Sequence, residues 1–203
     1  VALPLGILAG LRRGSVFDWV ASTATFIGIS LPTFWFGIVF ILIFAVQFRW
    51  LPSVGYVSPR DGLWPWFQHL LLPGLAAGVG EAAILMRFVR AGLLETMGSD
   101  YIRTARAKGL PSSKVIFTHA MRNSMIPVVT VAGLSLAGLL GGLVITETVF
   151  SISGIGRLLT VAIFAKDYPI VQGVILLITL FFVLANLAVD VLYTFLDPRI
   201  RYG

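Results

Sequence analysis

Long uncharged runs alternate with short polar stretches along this chain. Val1 to Leu11 is apolar and stops at Arg12-Arg13, and no charged residue occurs between Trp19 and Phe48. Further apolar runs cover about Phe67 to Met86, Asn123 to Thr146 and Tyr168 to Val189, broken only by Glu81. A helix needs roughly 20 apolar residues to cross a hydrocarbon core of about 30 Å. The pattern therefore predicts an all-α, polytopic transmembrane helix bundle. Pro32 and Gly37 interrupt the second run, which predicts a kinked or tilted helix there. The first run is only half a span and begins at Val1 rather than Met, which predicts that further chain precedes it. Between the runs, Arg12 to Asp18 reads as a short polar turn. Arg49 to Pro65 reads as a loop whose Trp50 and Trp64, with Trp66, suit an interfacial belt. Arg157 to Lys166 reads as a short amphipathic segment after the Ser153-Gly154-Ile155-Gly156 turn.

Composition agrees with this pattern. Of the 203 residues 58% are hydrophobic and 12% charged, against roughly 25% charged in soluble domains. The net charge of +6 does not point to nucleic acid, because the basic residues cluster beside apolar spans. Arg12, Arg13, Arg87, Arg90, Arg103, Arg106, Lys108, Lys114, Arg122, Arg199 and Arg201 fall on one side of the alternating topology. Arg49, Arg60, Arg157 and Lys166 fall on the other, so the first side is expected to be cytoplasmic. The sequence has no cysteine, which excludes disulfides and thiolate metal sites.

The most charged stretch is Ser99 to Pro127, SDYIRTARAKGLPSSKVIFTHAMRNSMIP. Asp100 suits the N-cap of a short helix from Tyr101 to Lys108. Gly109 fits just past its end, Pro111 blocks continuation, and Lys108 in the last turn suits the helix dipole. Tyr101, Ile102 and Ala105 share one side, whereas Arg103, Arg106 and Ala107 point elsewhere. An eight-residue helix is too short to stand alone, so it needs a surface to lie on. A second helical stretch is expected from about Ser113, feeding the next apolar run.

Candidate chemistry is sparse. The phosphate-cradling GxxxxGK[ST] loop is absent from the sequence. His69 and His119 fall in different segments with no cysteine near either, so a metal site is not expected. No nucleophile, base and acid are spaced for one catalytic site. Glu81, inside a span, and Asn186, on the last span, are candidates for pathway contacts or for bonds that fix helix packing. Glu147 is expected at the outer end of its span within reach of water, and Asp190 to pair with a cytoplasmic arginine.

The motifs TARAKGL and HAMRNSMIPV resemble the cytoplasmic signature loop of bacterial ABC-importer permeases. PLGILAGLRRGS, GISLPTFWFGIV, LPSVGY, GGLVITETVFSISGIGRLL, DYPIVQGVILL and LDPRIRY extend that resemblance over nearly the whole chain. They resemble the branch that moves dipeptides, oligopeptides, glutathione or nickel. Thr104, Ala105, Arg106, Ala107, Gly109, Ile126 and Pro127 match the loop's positions, with Thr104-Ala105-Arg106 in place of the literal EAA triplet. Glu81-Ala82-Ala83 spells that triplet by coincidence within a span. Ser153 stands where the family usually carries Pro in ExxFxxPGxG.

The resemblance implies a type I importer permease fold over residues 1–203, with about five of its six spans present and a coupling loop at 99–127. It implies an ATPase-coupling helix made of Tyr101, Ile102, Arg103, Thr104, Ala105, Arg106, Ala107, Lys108 and Gly109. In that reading, 101, 102 and 105 pack into a groove of the ATPase, and nearby Arg and Lys add rim contacts. The implied partners are a second homologous permease, two ATPase subunits that bind the ATP and Mg, an extracytoplasmic substrate-binding protein and membrane lipid. This chain would be a transport subunit, neither an enzyme nor a cofactor protein, in the cytoplasmic membrane of a bacterium or archaeon, with the coupling loop and C-terminus inside. Dipeptides or oligopeptides are the implied substrate, with nickel or glutathione as the alternative within the family. An ion-coupled secondary transporter would need ligands near the midplane, for which Glu81 alone is a candidate. A membrane enzyme would need a convergent catalytic set.

Overall fold

The computed structural model describes residues 1–142 and 144–196. Leu143, the tail Asp197–Tyr202 and the side chain of Asp190, with its expected arginine pairing, lie outside the described residues. All regular structure within them is helical. It comprises α1 (Ala2–Leu11), α2 (Val16–Ser30), α3 (Thr33–Phe40), α4 (Leu63–Met97), α5 (Asp100–Ala107) and α6 (Ser112–Lys114), then α7 (Met121–Ser124), α8 (Ile126–Gly142), α9 (Val144–Val149), α10 (Ile155–Phe164) and α11 (Tyr168–Leu196). Wide π-helical stretches, Ile41–Gln47 and Val115–Ala120, follow α3 and α6.

Among the described residues, α4 and α11 are each long and apolar enough to cross a membrane, with mean hydropathies of 1.5 and 2.5 over their most apolar windows. The expected span from Trp19 to Phe48 is not one bent helix. It is broken at Leu31-Pro32, where Pro32 takes an extended backbone (ψ 147°) and α3 starts afresh. Proline disfavours helical geometry in the residue before it, which ends α2 there. Gly37 breaks nothing. It lies within α3, and a Cβ there would stand 3.1 Å from the ring of Phe150. The run from Asn123 to Thr146 is shared by α7, α8 and α9.

The chain divides into two compact units. The first holds Val1–Gly28, Ala82–Ser135 and the end of the chain from Asn186. Here α1 lies against the second half of α4. A Cβ at Gly6 would come within 2.8 Å of the Cβ of Val89, and one at Gly10 within 3.1 Å of Leu93. That seam needs glycine, because any larger residue would push the two backbones apart. On another side of α4, a Cβ at Gly92 would stand 2.9 Å from the carbonyl oxygen of Ser124.

The second unit holds Ile29–Glu81 and Leu136–Ala185. Its core is Phe36, Leu72, Ala76 and Phe150, with Phe40, Phe44 and Val79 at the rim. Phe36, Phe40, Phe44 and Trp50 form a ladder of rings with centroids 6.1, 6.0 and 6.2 Å apart, within the range where aromatic pairs attract beyond their area. Leu176, Leu180, Phe181 and Leu184 of α11 are exposed, a face suited to lipid tails.

Candidate functional site

The charged stretch folds into a short helix with a firm stop. Ser99 holds the extended N-cap geometry, so α5 begins at Asp100, one residue before the expected start. The hydroxyl of Ser99 donates to the carbonyl of Thr96 (2.6 Å) instead of capping α5. Asp100 is the first helical residue, where a carboxylate favours the positive end of the dipole. Its contact with Arg103 (3.5 Å) is fully surface-exposed and contributes little. Lys108 is the C-cap rather than a last-turn residue, and Arg106 occupies that turn. Gly109 has φ +75°. Its N–H donates to the carbonyl of Arg106, and the N–H of Leu110 to that of Ala105. These two bonds form a Schellman stop, whose usual apolar contact is made by Leu110 against the cluster around Ala105.

The apolar side of α5 does not face outward. Ile102 and Ala105 are buried in this chain's own core with Leu93, Val115 and Ala120, and Ile7, Met97, Leu110 and Met121 pack around them. The expectation that 102 and 105 insert into a partner's groove is therefore corrected. An apolar side three and four residues apart must be buried, and here the chain buries it itself. Tyr101 is half-exposed, and its hydroxyl accepts a hydrogen bond from Nδ2 of Asn123 (2.9 Å). Arg103, Thr104, Arg106, Ala107, Lys108 and Gly109 are exposed. Beside Arg106 a cleft of about 240 Å³ is lined by Leu11, Met97, Ser112, Val115 and Ile116. The stretch thus presents a stiff, basic outer surface on an apolar anchor.

Two further arrangements escaped sequence reading. Asp18, expected in a turn, lies in the first turn of α2 and is only 4% exposed. Its carboxylate accepts from Nε of Arg90 (2.5 Å) and Nη2 of Arg90 (2.8 Å), a two-point pair between α2 and α4. It also accepts from the N–H of Gly14 (3.0 Å), while the Asp18 N–H donates to Oγ of Ser15 (3.2 Å). The Ser15-x-x-Asp18 spacing is that of a capping box, although here the carboxylate takes the N–H of Gly14 and not that of Ser15. The partner 72 residues away was not.

The second arrangement is at Glu147, which is half-buried. Its carboxylate accepts the N–H of Arg157 in the first turn of α10 (2.6 Å). It lies against the backbone of Gly154, where a Cβ would collide with it, and a Cβ at Gly156 would stand 3.1 Å from its Oε2. This gives the Ser-Gly-Ile-Gly turn a physical reason, since the glycines leave room for the carboxylate.

Glu81 lies near the middle of α4. Its Oε2 is buried and finds no hydrogen-bond partner among the described residues. Asn186 is half-buried in α11. The two belong to different units. His69 is half-buried, with Nδ1 2.8 Å from the carbonyl oxygen of Pro65. Among the described residues no three metal-binding side chains gather.

Comparison with known proteins gives a consistent result. Residues 2–202 match the family described as the binding-protein-dependent transport system inner membrane component. The whole chain is 46% identical over 202 residues to a probable peptide ABC transporter permease protein of Sinorhizobium fredii, covering 64% of that protein. It is 40% identical over 222 residues to the dipeptide transport system permease protein DppB of Alkalihalophilus pseudofirmus, covering 67%. It is 41% identical over 225 residues to DppB of Escherichia coli, covering 66%. The chain thus spans about two thirds of the length of these relatives. A match across essentially every described helix, on a helical and apolar chain, makes this protein a member of the binding-protein-dependent transport system inner membrane component family.

Proposed function

We propose that this chain is a permease subunit of an ATP-driven importer of peptides, and that α5 is where the ATPase acts on it. The observation that carries the reading is the build of α5, an apolar anchor inside and a basic, exposed surface outside. The relatives' names supply peptides and dipeptides as the substrate class, and the sequence resemblance adds oligopeptides, with nickel or glutathione as the alternative. The surface offered to the ATPase is Arg103, Thr104, Arg106, Ala107 and Lys108, with Tyr101 at its edge, while Ile102, Ala105 and Gly109 hold that surface in place. ATP and Mg belong to two partner ATPase subunits, and this chain itself holds no cofactor. A second homologous permease completes the pathway, an extracytoplasmic binding protein delivers substrate, and lipid covers faces such as that of α11. The excess of Lys and Arg on one side supports an inward-facing α5 and C-terminus.

The test is reconstitution of the full-length permease with its partner permease, ATPases and binding protein in proteoliposomes. Peptide uptake that requires ATP and survives collapse of the proton gradient is the expected result. Uptake that ignores ATP and follows the gradient would overturn it in favour of ion coupling. Competition by dipeptides, longer peptides and nickel sorts the substrates. Single cysteines at Ser112 and Ser58, in this cysteine-free chain, test orientation. An impermeant maleimide applied from outside should label the second and spare the first.

A further inference from the structure

We infer that Asp18 and Arg90 are positioning residues that lock the α1–α2 turn onto α4, so that displacement of α5 reaches α2 without loss. This rests on the coupling role proposed above and adds the link by which that role acts on the bundle. One helical turn of α4, Val89 to Leu93, carries three attachments. Leu93 packs in the same cluster as Ile102 and Ala105 of α5. Val89 and Leu93 fill the seam left by Gly6 and Gly10 of α1. Arg90, between them, grips Asp18 at the start of α2 through two nitrogen–oxygen bonds.

Asp18 is also the capping residue of the turn that joins α1 to α2, through Gly14 and Ser15. One carboxylate thus fixes both the turn's shape and its attachment to α4. A second, weaker tie lies about two turns further along α2 and one turn back along α4, where the buried hydroxyl of Thr25 meets the sulfur of Met86 (3.4 Å). The apolar seam interlocks by shape, but each of its dispersion contacts is individually weak. A planar guanidinium held at two points by a carboxylate has one geometry. The pair therefore adds a directional tie that resists shear to the shape-fitted seam of α1 on α4.

The experiment uses the complete importer in proteoliposomes and compares wild type with Asp18→Asn and Arg90→Lys. Both variants leave the outer surface of α5 untouched, so co-purification of the ATPases and basal hydrolysis should stay within about twofold of wild type. Binding-protein-stimulated hydrolysis and peptide uptake should fall tenfold or more in Asp18→Asn, with partial recovery in Arg90→Lys, which keeps the charge but loses the two-point grip. Asp18→Cys with Arg90→Cys should be as defective, and bridging the two thiols with a short bis-maleimide should restore stimulation. A purely structural role would lower assembly and basal hydrolysis together and would not respond to bridging. Wild-type stimulation in Asp18→Asn would overturn the inference, and so would bridging without recovery. If Asp18→Asn does not insert, Arg90→Lys and the bridged pair decide the matter. Absence of stimulation in wild type would instead count against the importer reading itself.

Discussion

The helices α5 and α10 are alike in length and unlike in what holds them. Each is 8 or 10 residues long, too short to be stable alone. α5 is fixed from beneath, by Ile102 at 0% exposure, and from its C-terminal end, by the Gly109 stop. Its outer surface is basic. α10 is fixed at its N-terminus, by the Glu147 carboxylate seated over Gly154 and Gly156, and its outer side is apolar, with Leu158, Val161 and Phe164 exposed. An apolar anchor is insensitive to direction and leaves the polar side free for contacts made in water. A carboxylate anchor sets direction and leaves the apolar side free for an apolar neighbour. Two short helices of one chain thus solve the same stability problem with opposite chemistry.

Ile102→Ala should separate the two most strongly. Truncating a buried isoleucine costs about 2–5 kcal/mol, enough to detach α5. Cysteines introduced along α5 should then label faster, and the ATPases should no longer co-purify, while labelling of α10 is unchanged. Equal disturbance of both helices would mean that they are not independently anchored.

Gly109→Val should come next. Its Cβ meets nothing within 4 Å, so the cost is conformational, about 1–2 kcal/mol for a left-handed residue bearing a Cβ. The protein should insert normally, yet ATPase docking should weaken and transport should fail. Wild-type docking with this substitution would remove Gly109 from the set that positions α5.

Glu147→Ala should act on α10 alone, with a loss of about 0.5–2 kcal/mol typical of a missing cap. Proteolysis at the 150–156 turn should rise several-fold, and Glu147→Gln, which keeps an accepting oxygen, should recover part of the protection. The smallest effect is expected from Arg103→Ala. Its partner Asp100 is 97% exposed, so thermal stability in detergent should not change measurably. A modest fall in uptake would then report a contact made to the ATPase rather than one within the chain.

Much of α5 was legible because its signals are local. Gly109 and Pro111 fix the stop, and the spacing of Ile102 and Ala105 marks the buried side. The start was off by one because Ser99 and Asp100 are both good caps, and Ser99 spends its hydroxyl on Thr96 instead. What periodicity cannot supply is the identity of the covering surface, so the buried side of α5 was assigned to a partner when Leu93 and Val115 cover it. The same limit hid the Asp18–Arg90 pair. Arg12 to Asp18 was read as a polar turn, and nothing local to Asp18 names an arginine on another helix. Glu147 was placed by counting from the end of an apolar run, which gives depth and not direction, and its role depends on a chain reversal that brings Gly154 beneath it. Pro32 was read as a kink, and the stronger outcome followed because Pro32 takes an extended backbone and disfavours helical geometry at Leu31.

The π-helical stretch Ile41–Gln47 has a consequence for the lineage of such chains. Its wider turns close i→i+5 rings, so it accommodates extra chain length without lengthening the helix in proportion. Such a stretch is what remains when a residue is inserted into an α-helix and the flanking contacts refuse to rotate. Here those contacts are the rings of Phe40 before the stretch and Trp50 after it, both in the ladder, and Arg49, held at φ +54° beyond the end. Removing one residue between 41 and 47 should let the segment relax to ordinary α geometry with the ladder kept. Two homologous chains that differ in length by one residue at this point can therefore share a fold, and an alignment gap there marks an absorbed insertion rather than a rebuilt loop.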